Sequence, residues 1–103
     1  VESTTGLAGS GCNLICFTTG LGTPTGNPIA PTVKISSNTA LSKRMADIID
    51  FNTGEVIEGT ATIAEKGEEL LEYLIAVASG ERTPHAVRLM QDDFIPWKRG
   101  ISL

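Results

Sequence analysis

The chain has 103 residues, 41% of them hydrophobic, which is enough for one small domain with a modest core. Its formal net charge is −4 and its lysines and arginines form no block, which excludes the basic surface that nucleic acid requires. Apolar runs such as Leu14-Ile15-Cys16-Phe17 are far too short to span a bilayer, and no signal-like core follows Val1.

Residues 2–9 are small and compatible with the last turns of a helix, which Ser10-Gly11 breaks. From Cys12 to Thr18 the chain is a continuous apolar run bounded by glycines, the pattern of a strand buried on both faces. Cys12 and Cys16 then share a face but lie ~13 Å apart at about 3.3 Å per residue. That is beyond the roughly 4.4–6.8 Å a disulfide tolerates, so both are expected as reduced thiols packed like small hydrophobes.

A loop rich in glycine (Gly20, Gly22, Gly26) and proline (Pro24, Pro28, Pro31) comes next. Thr32-Val33-Lys34-Ile35-Ser36 alternates and is β-branched, so it reads as a second, half-buried strand with Lys34 on its exposed side. Ser37-Asn38 offers capping side chains to a helix carrying Leu41, Met45, Ile48 and Ile49, and residues 50–54 read as the turn that ends it. Residues 55–59 suit a short extended link. Thr62-Ile63-Ala64-Glu65 is a capping box. It opens a helix whose apolar stripe is Ile63, Leu70, Leu71, Leu74, Ile75 and Ala78, with Gly80 as its stop. Thr83-Pro84 predicts another helix start, running to about Gln91, and residues 92–97 a brief edge strand limited by Pro96.

These elements make an α/β chain of about two or three mainly parallel strands and about three helices. It can barely cover a doubly buried strand. Together with the missing initiating methionine, this leads to the expectation of a fragment whose core is completed by upstream sequence. Exposed faces left by that missing core favour self-association or unfolding.

The glycine loop is the first candidate for chemistry. Gly20-x-Gly22-x-x-x-Gly26 spaces its third glycine one residue too late for a dinucleotide fingerprint, and no Gly-Lys-Ser/Thr comes after it as in a P-loop. Yet the loop leaves the C-terminal end of a strand, where open α/β sheets bind ligands. Thr18, Thr19 and Thr23 supply hydroxyls there, and Gly20 and Gly22 let backbone N–H groups approach an anion. The pattern alone leaves binding and simple packing equally open. Lys34 could reach a carboxylate from the next strand, and Asn38 at a helix start could serve both helix and ligand. Asp47 and Asp50 lack a third ligand and read as solvated or capping carboxylates. His85, the single histidine, reads as a surface or capping residue.

Four segments carry a resemblance: SGCNLICFTTGLGTPTGNPIAPTVKISSNTAL, DIIDFNTGEVIEG, TIAEKGEELLEYLIAVASGE and FIPWKRGISL. In that order and spacing they resemble the C-terminal part of the altronate/galactarate dehydratase family, which also includes a sulfolactate sulfo-lyase. The resemblance implies that residues 1–103 are one piece of a large Rossmann-like domain, incomplete without upstream sequence. It implies a cytoplasmic hydro-lyase converting a sugar acid to a 2-keto-3-deoxy acid with a divalent metal, iron in particular. The metal would be bound by the full-length enzyme and not clearly by this segment. Thr18, Thr19, Gly20, Gly22, Thr23, Lys34 and Asn38 would form a substrate-carboxylate wall, while the catalytic base and metal ligands stay unassigned. The partners implied are a small sugar acid and the remainder of the same enzyme, and the isolated piece is expected to be inactive. The family loop reads FTTG-Arg-GTP, and Leu21 stands here in the arginine position. A non-catalytic α/β module that binds an anion or a partner is the alternative from another class.

Overall fold

A computed structural model describes residues 2–96, 99 and 100. Within them a parallel sheet is built from β1 (Ile15–Thr19), β2 (Thr32–Ser36) and β3 (Phe51–Asn52), in the order β1-β2-β3. Ile15 pairs with Thr32 and Thr19 with Ser36, while Ile35 and Ser36 pair with Phe51 and Asn52 on the other side. The α/β reading with mainly parallel strands holds, now with five helices among the described residues.

The two main strands exchange their expected roles. Every residue of β2 is buried, Lys34 included, whereas β1 is protected only at Ile15 and exposes Cys16 and Thr18. β2 has a strand on each side; β1 lies at the edge. A short apolar run looks the same in either place, because periodicity reports side-chain chemistry and not neighbours. β1 also begins later than expected. Cys12 precedes it in a turn where Gly11 has φ 101°, and both thiols are free, with Cys16 exposed and not packed.

On one face of the sheet, Val33 and Ile35 meet Val77 of α4 (Ile63–Ala78), with Leu14, Phe51, Leu70, Tyr73 and Leu74 around them. Half of the expected capping box forms at the helix start: the Glu65 N–H donates to Thr62 Oγ1 at 3.1 Å, while no return bond from the Glu65 carboxylate to the Thr62 N–H is found among the described residues. Gly80 (φ 81°) lies just past its end in the left-handed conformation. The buried seam of α4 is Leu70, Tyr73, Leu74 and Val77, while Ile63, Leu71 and Ile75 of the expected stripe stay exposed. A narrow sheet covers only part of the surface of a 16-residue helix, so a wide apolar stripe overhangs it.

The remaining helices are short. α1 (Glu2–Gly9) ends as expected. α2 (Thr39–Arg44) is shorter than its apolar spacing suggested, because the chain turns at Met45 to feed β3; Leu41, Ile48 and Ile49 still cluster around Met45. The expected turn at residues 50–54 contains β3, and the expected extended link is α3 (Gly54–Glu58). Its Val56-Ile57 pair favours a strand by propensity, but Gly54 packs directly on Thr39, where a Cβ would strike the backbone nitrogen, and Gly59 (φ 79°) closes the turn. α5 (His85–Arg88) stops before Gln91, with Met90 at φ 54° just beyond. Residues 92–96 form no strand; Trp97, the last residue of that expectation, lies outside the described residues. No helix among the described residues is long and apolar enough to cross a membrane.

Candidate functional site

The parallel strands end together at Thr19, Ser36 and Asn52, and a polar network joins the segments that leave these three ends. After β1, the Gly22 N–H donates to Thr19 Oγ1 at 2.9 Å, and the Thr19 carbonyl accepts from the Ser37 N–H at 3.1 Å. Asn38 Nδ2 donates to the Gly20 carbonyl at 3.1 Å, while its Oδ1 accepts the Leu41 N–H at 2.7 Å. Asn38 therefore caps α2 and holds the loop with the two ends of one side chain. Gly22 adopts φ 94°, and a Cβ there would overlap the Met45 sulfur. Thr23 and Thr25 pair through their hydroxyls at 2.8 Å.

The structure thus joins Thr19, Gly20, Gly22 and Asn38, sets exposed Thr18 beside them in the strand, and turns half-buried Thr23 toward Thr25. Among the described residues, no hydrogen bond engages the backbone N–H of Gly20 or Leu21. The loop tip presents open donors on a braced frame. Leu21 stands at this tip, 86% exposed.

Residues that the sequence pattern did not single out complete the network. Ser36 Oγ donates to the Asn38 carbonyl at 2.6 Å, and Thr53 Oγ1 donates to the Ser36 carbonyl at 2.7 Å. Asn52 Nδ2 donates to Thr39 Oγ1 at 3.1 Å, while Asn52 Oδ1 accepts the Gly54 N–H at 2.9 Å. The signal is present in the sequence as Ser-Asn-Thr and Asn-Thr-Gly at the ends of β2 and β3. It becomes readable only once β3 is recognised as a strand.

Lys34 is placed apart from the loop. It lies in the middle of β2 opposite Phe17, fully buried, and its Nζ has no hydrogen-bond partner among the described residues. Burial pushes its pKa below the ordinary lysine value, against the opposing charges of Asp50 and then Asp93. The exposed position expected on an alternating strand is not realised, because β2 is central and both of its faces are covered.

Asp50 is the capping carboxylate expected of it, at an unexpected place. Its side chain is 1% exposed. Oδ2 accepts the Lys34 N–H and Oδ1 the His85 N–H, each at 2.8 Å. It thereby ties β2 to the start of α5, where Pro84, and not Thr83 as expected, stands in the N-cap position and has no side-chain cap bond of its own. Asp47 is exposed. His85 Nδ1 accepts from Arg88 Nη2 at 2.6 Å, and its Nε2 lies 3.9 Å from Asp50 Oδ1. No group of three or more His, Cys, Asp or Glu side chains among the described residues could hold a metal ion. The donor set of this segment does not fit the divalent metal that the resemblance implies.

Sequence comparisons place the chain in a family. The family described as D-galactarate/altronate dehydratase, C-terminal, matches residues 1–102. An altronate dehydratase of Bacillus subtilis is 38% identical over 97 residues, 94% of this chain and 19% of that protein. A galactarate dehydratase (L-threo-forming) of Escherichia coli is 40% identical over 73 residues, 71% of this chain and 14% of its own length. The beta subunit of a (2R)-sulfolactate sulfo-lyase of Chromohalobacter salexigens is 35% identical over 82 residues, 80% of this chain and 21% of that subunit. The chain spans about a fifth or less of the length of these curated relatives. With nearly every residue matched, the chain belongs to the D-galactarate/altronate dehydratase family, within its C-terminal region.

Proposed function

We propose that this segment forms one wall of the active site of a cytoplasmic hydro-lyase that removes water from a sugar acid of the altronate or galactarate type. The supporting observation is the braced loop at the C-terminal strand ends, with the N–H groups of Gly20 and Leu21 open next to Thr19, whose hydroxyl accepts from the Gly22 N–H. Dehydration beside a carboxylate needs a base for the α-proton, charge stabilisation for the enediolate, and an acid for the departing hydroxyl. The loop suits the second requirement, because fixed N–H dipoles stabilise a carboxylate whose charge grows as the proton leaves. Base, acid and any metal ligands are assigned to residues outside this segment, so the 103-residue chain alone is inactive. The sulfo-lyase relative is consistent with a shared role, since loss of sulfite beside a carboxylate makes the same demand on the carboxylate wall.

The test is a titration of the 103-residue chain with galactarate, followed through backbone amide signals. Gly20, Leu21 and Gly22 are expected to shift together. Leu21→Arg should tighten binding by about tenfold, because guanidinium grips carboxylate with paired charged bonds. Silent loop amides in both proteins would overturn the assignment. Turnover of altronate or galactarate by these residues alone, with ferrous iron supplied, would overturn the division of labour.

A further inference from the structure

We propose that the cleft between the end of α4 and α5 is a second binding site, for a small hydroxylated carboxylate held by Arg82 and Arg88. The cleft has a volume of about 530 Å³; Tyr73, Arg82, Thr83, His85 and Arg88 line it, together with buried Asp50 and exposed Glu81. In a chain with net charge −4, the two guanidiniums stand out. Among the described residues neither has a carboxylate within salt-bridge distance. Arg82 lies 5.6 Å over the Tyr73 ring, and Arg88 donates to His85 Nδ1. Each guanidinium carries five donors in a planar fork, so both keep N–H groups for a ligand.

The other lining groups narrow the ligand class. Burial, and then the charge of Asp50, push the Tyr73 phenol above its ordinary value, so its hydroxyl stays protonated and can donate. Both oxygens of Asp50 already accept backbone N–H groups, so the carboxylate is held in place at the back of the cleft and the two guanidiniums have to outweigh its charge. Glu81 adds an acceptor that repels a bare anion but welcomes hydroxyl groups, as does Thr83. Donors for a carboxylate beside acceptors for hydroxyls, with an aromatic ring at one wall, fit a hydroxylated carboxylate better than phosphate or a neutral polyol.

This site is independent of the loop. Asp50 immediately precedes β3 and bonds Lys34 on one side of β2, whereas the Gly20–Gly22 loop follows β1 on the other side, so the two lie at opposite edges of the sheet. The cleft therefore goes beyond the carboxylate wall, and either assignment can fail alone. The experiment is an NMR titration of the 103-residue chain with gluconate, sorbitol and inorganic phosphate. Gluconate is expected to shift the Arg82 and Arg88 side-chain N–H signals and the Tyr73 ring, with sorbitol silent and phosphate weaker.

The double variant Arg82→Gln/Arg88→Gln changes two exposed side chains and should weaken gluconate binding by about tenfold or more. Its fold is checked by the His85 and Lys34 amide signals, and Arg88→Gln alone serves if the pair unfolds. Glu81→Gln should tighten binding a few-fold. The proposal is overturned if gluconate leaves Tyr73 and both arginines unmoved, if the arginine variants bind as well as the parent, or if phosphate binds as tightly. Shifts confined to Gly20 and Gly22 would overturn it while supporting the loop assignment.

Discussion

β1 and β2 are paired residue for residue, from Ile15 with Thr32 to Thr19 with Ser36, yet they occupy different environments. β1 reads Ile-Cys-Phe-Thr-Thr and exposes alternate positions; β2 reads Thr-Val-Lys-Ile-Ser and is buried throughout. The strand carrying a lysine is the interior one. Burial in a small sheet tracks the number of neighbours and not the hydrophobicity of the strand. β2 has a strand on either side and α4 against Val33 and Ile35, whereas β1 has a strand on one side. The edge strand is consequently free to carry exposed polar groups into the Gly20–Gly22 loop, while the central strand positions it.

The largest expected difference between the strands lies at one paired position. Ile35, 4% exposed, faces its partner Thr18 across the register. Ile35→Ala should cost about 2–5 kcal/mol of stability, and Thr18→Ala less than about 0.5 kcal/mol. Urea unfolding of both variants measures this, and equal losses would break the contrast. Next comes Asp50→Ala, which strips charged acceptors from the N–H groups of Lys34 and His85 and should cost about 3 kcal/mol. Faster amide exchange should appear at those two positions before anywhere else, and unchanged exchange would show that the β2–α5 tie is unimportant.

Lys34 gives a change of opposite sign. Its folded pKa lies below the ordinary lysine value, so between the two values the unfolded chain binds the extra proton and stability rises with pH. The cost is full below the folded value and gone above the ordinary one. Lys34→Met should stabilise by about 1–3 kcal/mol at neutral pH, with the gain shrinking toward about pH 10. A gain that is constant with pH, or a loss, would show that Nζ has a partner. A smaller loss is expected at the loop brace. Asn38→Ala removes the cap on the Leu41 N–H and the bond to the Gly20 carbonyl, costing about 1 kcal/mol. It should also loosen the Gly20–Gly22 amides, which thermal melts with amide exchange would report together.

Local chemistry was readable wherever one residue governs its own neighbourhood. Asn38 caps α2, Thr62 caps α4, Gly80 ends α4, and β2 falls on Thr32–Ser36 as its β-branched pattern requires. The turn in the glycine loop was readable for the same reason, since Gly22 adopts a positive φ. Failures came where a distant contact decided. α3 exists because Gly54 fits against Thr39, and two-residue β3 is a strand because β2 lies beside it. The start of α5 is capped by Asp50, 35 positions away, which no local capping rule can find.

The sequence by itself therefore determined the α/β class, the family, the caps of α2 and α4 and the loop that carries the proposed carboxylate wall. These depend on backbone preferences and side chains acting within a few residues of themselves. Only the tertiary structure decided which strand is central, that Lys34 is interior, that Asp50 joins β2 to α5, and that Arg82 and Arg88 share a cleft. Each of those outcomes depends on which segments become neighbours, and burial and pairing are properties of neighbours.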